Sequence, residues 1–140
     1  MNNTIYDCLL MPLNKVYNRA GNITIVENHN NIPFAIKRVF YLYDIPCGKA
    51  RGGHAHKSLQ EIIIAASGAF DVLIDDGLNK RNITLNRPDY GLHIVPGIWF
   101  DLHNFSSGAI SLVMASELYK EDDYIKDYNH FVTIKDIYHA

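Results

Sequence analysis

Short runs of apolar, β-branched or aromatic residues recur along this chain, at 23–26, 35–43, 62–66, 69–74, 83–85, 92–95 and 110–115. Runs this short, rich in Ile, Val, Phe and Tyr, predict strands rather than helices. Turn chemistry separates them: Arg19-Ala20-Gly21-Asn22, Asp75-Asp76-Gly77, Asn86-Arg87-Pro88-Asp89 and Ser106-Ser107-Gly108. The Asp-Asp-Gly step between two apolar runs predicts a hairpin. Many short strands at regular spacing predict an all-β sandwich or barrel. The rhythm breaks only near the end, where residues 121–128 carry acids first and then Ile125 and Tyr128 three apart. That pattern predicts a short C-terminal amphipathic helix over 121–128. No linker, internal repeat or low-complexity segment interrupts the chain.

Composition narrows the classes. A chain of 140 residues can bury a core of its own and is expected to form one domain over 1–140. Its 48% hydrophobic and 20% charged content is that of an ordinary globular protein. A formal net charge of −2 gives no footprint for nucleic acid or an anionic membrane as partner. No apolar run reaches the ~18 residues of a membrane span. The first fifteen residues lack the basic start and apolar stretch of a secretion signal. Cys8 and Cys47 are unclustered, as expected of a reducing cytoplasm.

The densest chemistry lies in Gly48-x5-His54-x-His56-x4-Glu61-x6-Gly68. Two His at i, i+2 on a strand share one face. Glu61 is an odd number of residues away, so a turn or bulge near Lys57-Ser58 is needed to bring it back beside them. The spacing, glycines included, resembles the first motif of the cupin barrels, and implies a cupin-type jelly-roll β-barrel with the two His and the Glu lining a pocket. Three chemical readings follow. His54, His56 and Glu61 suit Zn, Mn or Fe as ligands. Without metal, two imidazoles oriented by Glu61 or Asp101 can move protons between neighbouring atoms of one substrate. The third reading is two hydrogen-bonded core residues, an expensive way to fill space. The second cupin motif, G-x5-P-x-G-x2-H, falls on residues 91–101 and ends in Asp101 where a fourth ligand, His, is usual; His103 follows on the same parity.

Longer motifs sharpen the resemblance. Arg51-Gly-Gly-His-Ala-His-Lys57, the Ser67-Gly68 turn, Asp75-Asp76-Gly77, and the segments 31–39, 86–99 and 104–116 are similar to the sugar-nucleotide 3,4-ketoisomerases. So is Tyr119-x2-Asp122-Asp123-Tyr124-Ile125-Lys126-x-Tyr128. The resemblance covers residues 15–131. It implies a cupin-type fold, a homodimer, no cofactor and no metal, and conversion of dTDP-4-keto-6-deoxyglucose to a dTDP-3-keto-6-deoxyhexose. That product is aminated and acylated for bacterial surface glycans. It also implies that His54 and His56 carry protons through an enediol, one handling the carbon-bound proton and the other the oxygens. Tyr41 is a further candidate, for polarising an oxygen. Arg38 and Arg51 are the candidates for the pyrophosphate, since guanidinium forks suit phosphate oxygens. Trp99 and Asp101 are candidate pocket walls. The alternative is a metal-dependent cupin enzyme, a dioxygenase or isomerase using His54, His56 and Glu61. Two departures stand out. Glu61 is an acid where relatives often carry an amide. Ala20 and Phe100 occupy the positions that go with product configuration, where Arg or Tyr and His or Arg are usual; Arg19 and His103 lie nearby.

Overall fold

The computed structural model describes residues 2–139, with side chains through residue 137; Met1 and Ala140, the ends of the span expected to form one domain, lie outside it. The strands, in chain order, are β1 (Leu10–Pro12), β2 (Asn14–Val16), β3 (Ile23–Ile25), β4 (Arg38–Leu42), β5 (Arg51–His56) and β6 (Glu61–Ser67). There follow β7 (Phe70–Asp75), β8 (Lys80–Leu85), β9 (Tyr90–Ile94), β10 (Trp99–His103), β11 (Ile110–Ala115) and β12 (Tyr124–Ile125), then helix α1 (Tyr128–His139). One antiparallel sheet runs β1-β9-β6-β11-β4 and the other β12-β5-β10-β7-β8, with β2-β3 as a separate hairpin. The fold is the expected cupin-type jelly roll.

Inward-pointing residues of both sheets, among them Ile63, Ala65, Phe70, Val72, Ile74, Phe100, Leu102 and Val113, form one core between them. Strand β6 is buried on both faces from Glu61 to Ala65. That explains its unbroken apolar run, the signature of a two-sided strand rather than an alternating one. Its outer residues, Ile62 and Ile64, pack with Met114 under Ile32, Val26, Phe34 and Ile36 of the segment that follows the β2-β3 hairpin. The outer face of the second sheet is covered by α1, through Phe131, Val132 and Ile134 on Ala55, Trp99 and Ile125.

The helix expected over 121–128 is not there. Glu121–Asp123 make a single 3-10 turn, Tyr124–Ile125 pair with β5, and the helix begins only at Tyr128. The cause is long-range. Asp123 accepts hydrogen bonds from Ser58 N, Ser58 Oγ and Leu59 N, at 2.9, 2.7 and 3.1 Å, and so ties the segment to the end of β5. The helix start is set instead by Asp127, whose Oδ1 accepts from Asn129 N and His130 N.

The hairpin at Asp75-Asp76-Gly77 forms as expected between β7 and β8. Asp76 holds it: Oδ1 accepts from Leu78 N and Asn79 N at 2.9 and 2.8 Å, and Oδ2 accepts from Ile5 N at 3.0 Å, the last in a buried site. Asp76→Ala leaves the buried Ile5 N–H unpaired and is expected to lower stability by about 1–3 kcal/mol. Urea unfolding checks this as a lower midpoint at an unchanged slope.

Candidate active site

Two glycines aim the histidines. Gly52 and Gly53 both have positive φ, 95° and 78°, and the register of β5 on β10 slips here, Phe100 opposing His54 while Asp101 opposes Gly52. A Cβ at Gly52 would lie 3.1 Å from the Phe100 carbonyl. Only glycine meets both demands, so the bulge is written into the Arg-Gly-Gly-His sequence. Beyond it the strand alternates normally and both imidazoles meet inside the barrel. His54 Nε2 and His56 Nε2 are 3.1 Å apart and hydrogen bonded, with the rings edge to face.

Lys57-Ser58 then turn the chain into the opposite sheet, and Glu61 opens β6 facing back across the barrel. Its Oε1 lies 3.8 Å from His56 Nε2. The turn anticipated from the odd spacing thus does more than restore parity, because it moves the acid to a different sheet. Behind His56, its Nδ1 lies 3.6 Å from Asp123 Oδ2. Asp123 is locked by the Ser58 and Leu59 hydrogen bonds, so it is a fixed carboxylate beside a ring nitrogen that has no hydrogen-bond partner among the described residues. Tyr124 packs on both imidazoles at 4.9 and 4.4 Å between centroids, and Phe100 on His54 at 4.9 Å. Asp123 and Tyr124 carried no assigned site role in the sequence, because their segment reads as a helix end until its pairing with β5 is known.

These groups border a cavity of about 130 Å³ lined by Arg38, Phe40, Arg51, His54, Glu61, Phe100 and Tyr124, with aliphatic walls from β4, β6, β10 and β11. Arg38 Nη1 is buried and has no hydrogen-bond partner among the described residues. Its guanidinium lies over Phe40 at 4.5 Å and near Tyr119 at 5.5 Å. An unpaired buried guanidinium nitrogen facing a cavity is a donor lacking its acceptor.

Burial tunes all three titratable groups against charge. Desolvation lowers His54 below its usual range, and lowers His56 to about 3, with His54 adding to the effect and Asp123 opposing it. Both rings are therefore neutral at pH 7, with one Nε2 donating its proton to the other in their hydrogen bond. Burial pushes Glu61 up to about 7, partly offset by Arg38, so its carboxyl holds and releases a proton near neutrality.

Three expected site residues lie elsewhere. On β4 the alternation that turns Arg38, Phe40 and Leu42 inward turns Tyr41 outward, 60% exposed and stacked on Tyr43 at 5.6 Å; it is neither in the pocket nor in the barrel core. On β10, Phe100 and Leu102 face the cavity while Trp99 and Asp101 face the far side. There Trp99 packs on Tyr128 and Phe131 and its Nε1 donates to Asp101 Oδ2 at 3.3 Å. Asp101 therefore does not complete a four-ligand cupin site. His103 also faces out, bonded to Asn82. Ala20 is exposed in the turn after β2, and of the two configuration positions only Phe100 is in the pocket. The donor set that does fit a metal is His54, His56 and Glu61, whose ligating atoms all lie within 4.8 Å of one another.

The model of the family FdtA: WxcM-like, C-terminal, matches residues 6–136. The TDP-4-oxo-6-deoxy-alpha-D-glucose-3,4-oxoisomerase of Aneurinibacillus thermoaerophilus is 40% identical over 117 residues, 84% of each chain. A 3,4-ketoisomerase from Helicobacter canadensis superposes with a TM-score of 0.90 at 38% identity, over 93% of this chain and 98% of that one. A His-to-Asn variant of the 3,4-ketoisomerase QdtA from Thermoanaerobacterium thermosaccharolyticum, in complex with TDP-4-keto-6-deoxyglucose, superposes with a TM-score of 0.93 at 31% identity, over 96% and 97%.

Proposed function

Because the chain belongs to the FdtA family, whose relatives are TDP-sugar 3,4-ketoisomerases, we propose that it converts dTDP-4-keto-6-deoxyglucose to a dTDP-3-keto-6-deoxyhexose. TDP and dTDP denote the same nucleotide. The product supplies dTDP-3-amino-3,6-dideoxyhexoses for surface glycans. The observation that carries the reading is the hydrogen-bonded pair of neutral imidazoles, of which His54 lies on the wall of the cavity. Moving a ketone from carbon 4 to carbon 3 relocates two protons, one between the carbons and one between the oxygens. A base takes the proton of carbon 3 while the oxygen on carbon 4 gains one, giving an enediol. Carbon 4 is then protonated and the oxygen on carbon 3 loses its proton. His54 reaches the cavity directly and is placed to serve the carbons. His56, hydrogen bonded to it and backed by Asp123, relays protons for the oxygens. General acid–base groups so placed contribute about 10²- to 10⁴-fold each. Phe100 and Tyr124 keep water from the enediol face.

In this reading the hexose occupies the cavity and the diphosphate lies toward the exposed Arg51, with Arg38 also on the lining. The metal-dependent alternative is not favoured. The relatives are ketoisomerases, and Asp101, at the fourth-ligand position, faces away from the pocket.

The assembly is a homodimer in this reading. Strand β4 is the open edge of its sheet and exposes Val39 and Tyr41, with Tyr43 just beyond. An unpaired edge bearing large apolar groups is normally covered. No helix of the described residues is long and apolar enough to cross a membrane, and the reading places the enzyme in the cytoplasm as one domain.

The test is proton NMR of chelator-treated protein with dTDP-4-keto-6-deoxyglucose in heavy water. A 3-keto product carrying deuterium at carbon 4 is expected. Turnover that appears only when a divalent metal is restored would move the site to the metal-dependent reading. No turnover under either condition would remove the substrate assignment.

A further inference from the structure

Glu61 is not needed for the two-imidazole chemistry, yet it is held at the pocket, 4% exposed, on the strand facing the histidines. No hydrogen-bond donor among the described residues holds its carboxylate, whose Oε1 lies 3.8 Å from His56 Nε2. The two Nε2 atoms are 3.1 Å apart. A metal about 2.0–2.1 Å from each nitrogen would subtend an angle between the right angle of an octahedral site and the wider angle of a tetrahedral one. The imidazoles therefore need not separate to share an ion. Rotation of the Glu61 carboxylate brings in a third donor from within the 4.8 Å cluster. The cavity beside them leaves room for water in the remaining position, the arrangement of an open three-ligand site.

We propose that His54, His56 and Glu61 form an inhibitory site for a divalent transition metal such as Zn²⁺, which switches the enzyme off by occupying the imidazole nitrogens that proton transfer requires. This rests on the ketoisomerase reading for its effect on turnover, though not for the binding itself. Two nitrogen ligands and one carboxylate select Zn²⁺ over Mg²⁺, which prefers oxygen donors and retains its waters. Arg38, on the opposite wall, opposes the cation. Bound substrate and bound metal compete, because both need the nitrogen lone pairs of the same rings.

Isothermal titration of chelator-treated protein with Zn²⁺ alone should show one site per chain, and Mg²⁺ should show none. Zn²⁺ should suppress turnover of dTDP-4-keto-6-deoxyglucose at the same concentrations at which it binds, with recovery on adding chelator. Glu61→Gln, an amide of the same shape and a poorer ligand, should raise the Zn²⁺ dissociation constant about tenfold or more. His54→Asn should remove the titration altogether. Absence of Zn²⁺ binding, or binding unaffected by Glu61→Gln, overturns the site. Binding without inhibition, or activation by Zn²⁺, overturns the inhibitory role. If the metal-free protein has no activity on this substrate, the ketoisomerase reading fails separately, while the titration still decides whether the site exists.

Discussion

His54→Asn and His56→Asn are each expected to lower turnover of dTDP-4-keto-6-deoxyglucose by about 10²- to 10⁴-fold while leaving affinity for the sugar nucleotide nearly unchanged. Asparagine keeps much of the size and polarity of the ring but carries no exchangeable proton between substrate atoms. The imidazoles do not hold the diphosphate in this reading; that is left to Arg38 on the facing sheet and Arg51 at the start of β5. Loss should therefore fall on kcat and not on binding, the pattern of an interaction made only in the transition state. The two substitutions differ in detail. His54 lies on the cavity wall, so its loss removes the group nearest the reacting carbons. His56 lies behind, 3% exposed, between His54, Glu61 and Asp123, so its loss cuts the relay. Steady-state kinetics and titration calorimetry with TDP check both. Near-normal turnover in either variant would take the proton role from that residue.

How much of this was legible in the sequence follows from strand parity. His54 and His56 were readable as a pair because two residues apart on a strand means one face. The same rule, applied along β4, separates Arg38 from Tyr41, which are three apart, and along β10 it separates Phe100 from Trp99 and Asp101. Those strand boundaries become firm only once the partners are known, which is why sequence alone groups Tyr41, Trp99 and Asp101 with the pocket. The Gly52-Gly53 bulge illustrates the limit. It shifts the parity of everything before His54 and puts Arg51 on the cavity; the glycine pair permits it, but the register is fixed only by pairing with β10. The misplaced helix has the same origin. Residues 121–128 suit a helix by composition, but Asp123 is captured by Ser58 and Leu59, 65 and 64 residues away, and Ile125 is buried against β5. Tertiary contacts of that reach override a weak local preference. Glu61 reached the site by a turn the spacing did call for, though across the barrel and not along the strand.

Arg38→Met is expected to raise the dissociation constant for TDP by about 10- to 100-fold, the weight of one or two hydrogen bonds to a charged acceptor. The residue has the features of a waiting phosphate ligand. Its Nη1 is buried without a partner, its plane is fixed over Phe40 and near Tyr119, and it faces the cavity. Methionine keeps the packing volume of the stem and removes the charge and the fork, which separates recognition from filling. Arg38→Lys should recover only part of the affinity, because an ammonium restores the charge without the bidentate geometry. A second consequence identifies the direction of coupling inside the site. Arg38 favours the ionised form of Glu61, opposing the burial that pushes this carboxyl up to about 7. Removing the guanidinium must raise it further, so at pH 7 more of Glu61 is protonated in Arg38→Met than in the parent. A carbon-13 titration of the Glu61 carboxyl should move to higher pH in the methionine variant and stay close to the parent in the lysine variant. TDP, by neutralising the same cation, should shift the parent in the methionine variant's direction. An Arg38→Met protein with unchanged TDP affinity and an unmoved Glu61 titration would place the diphosphate on Arg51 alone and leave Arg38 a structural cation.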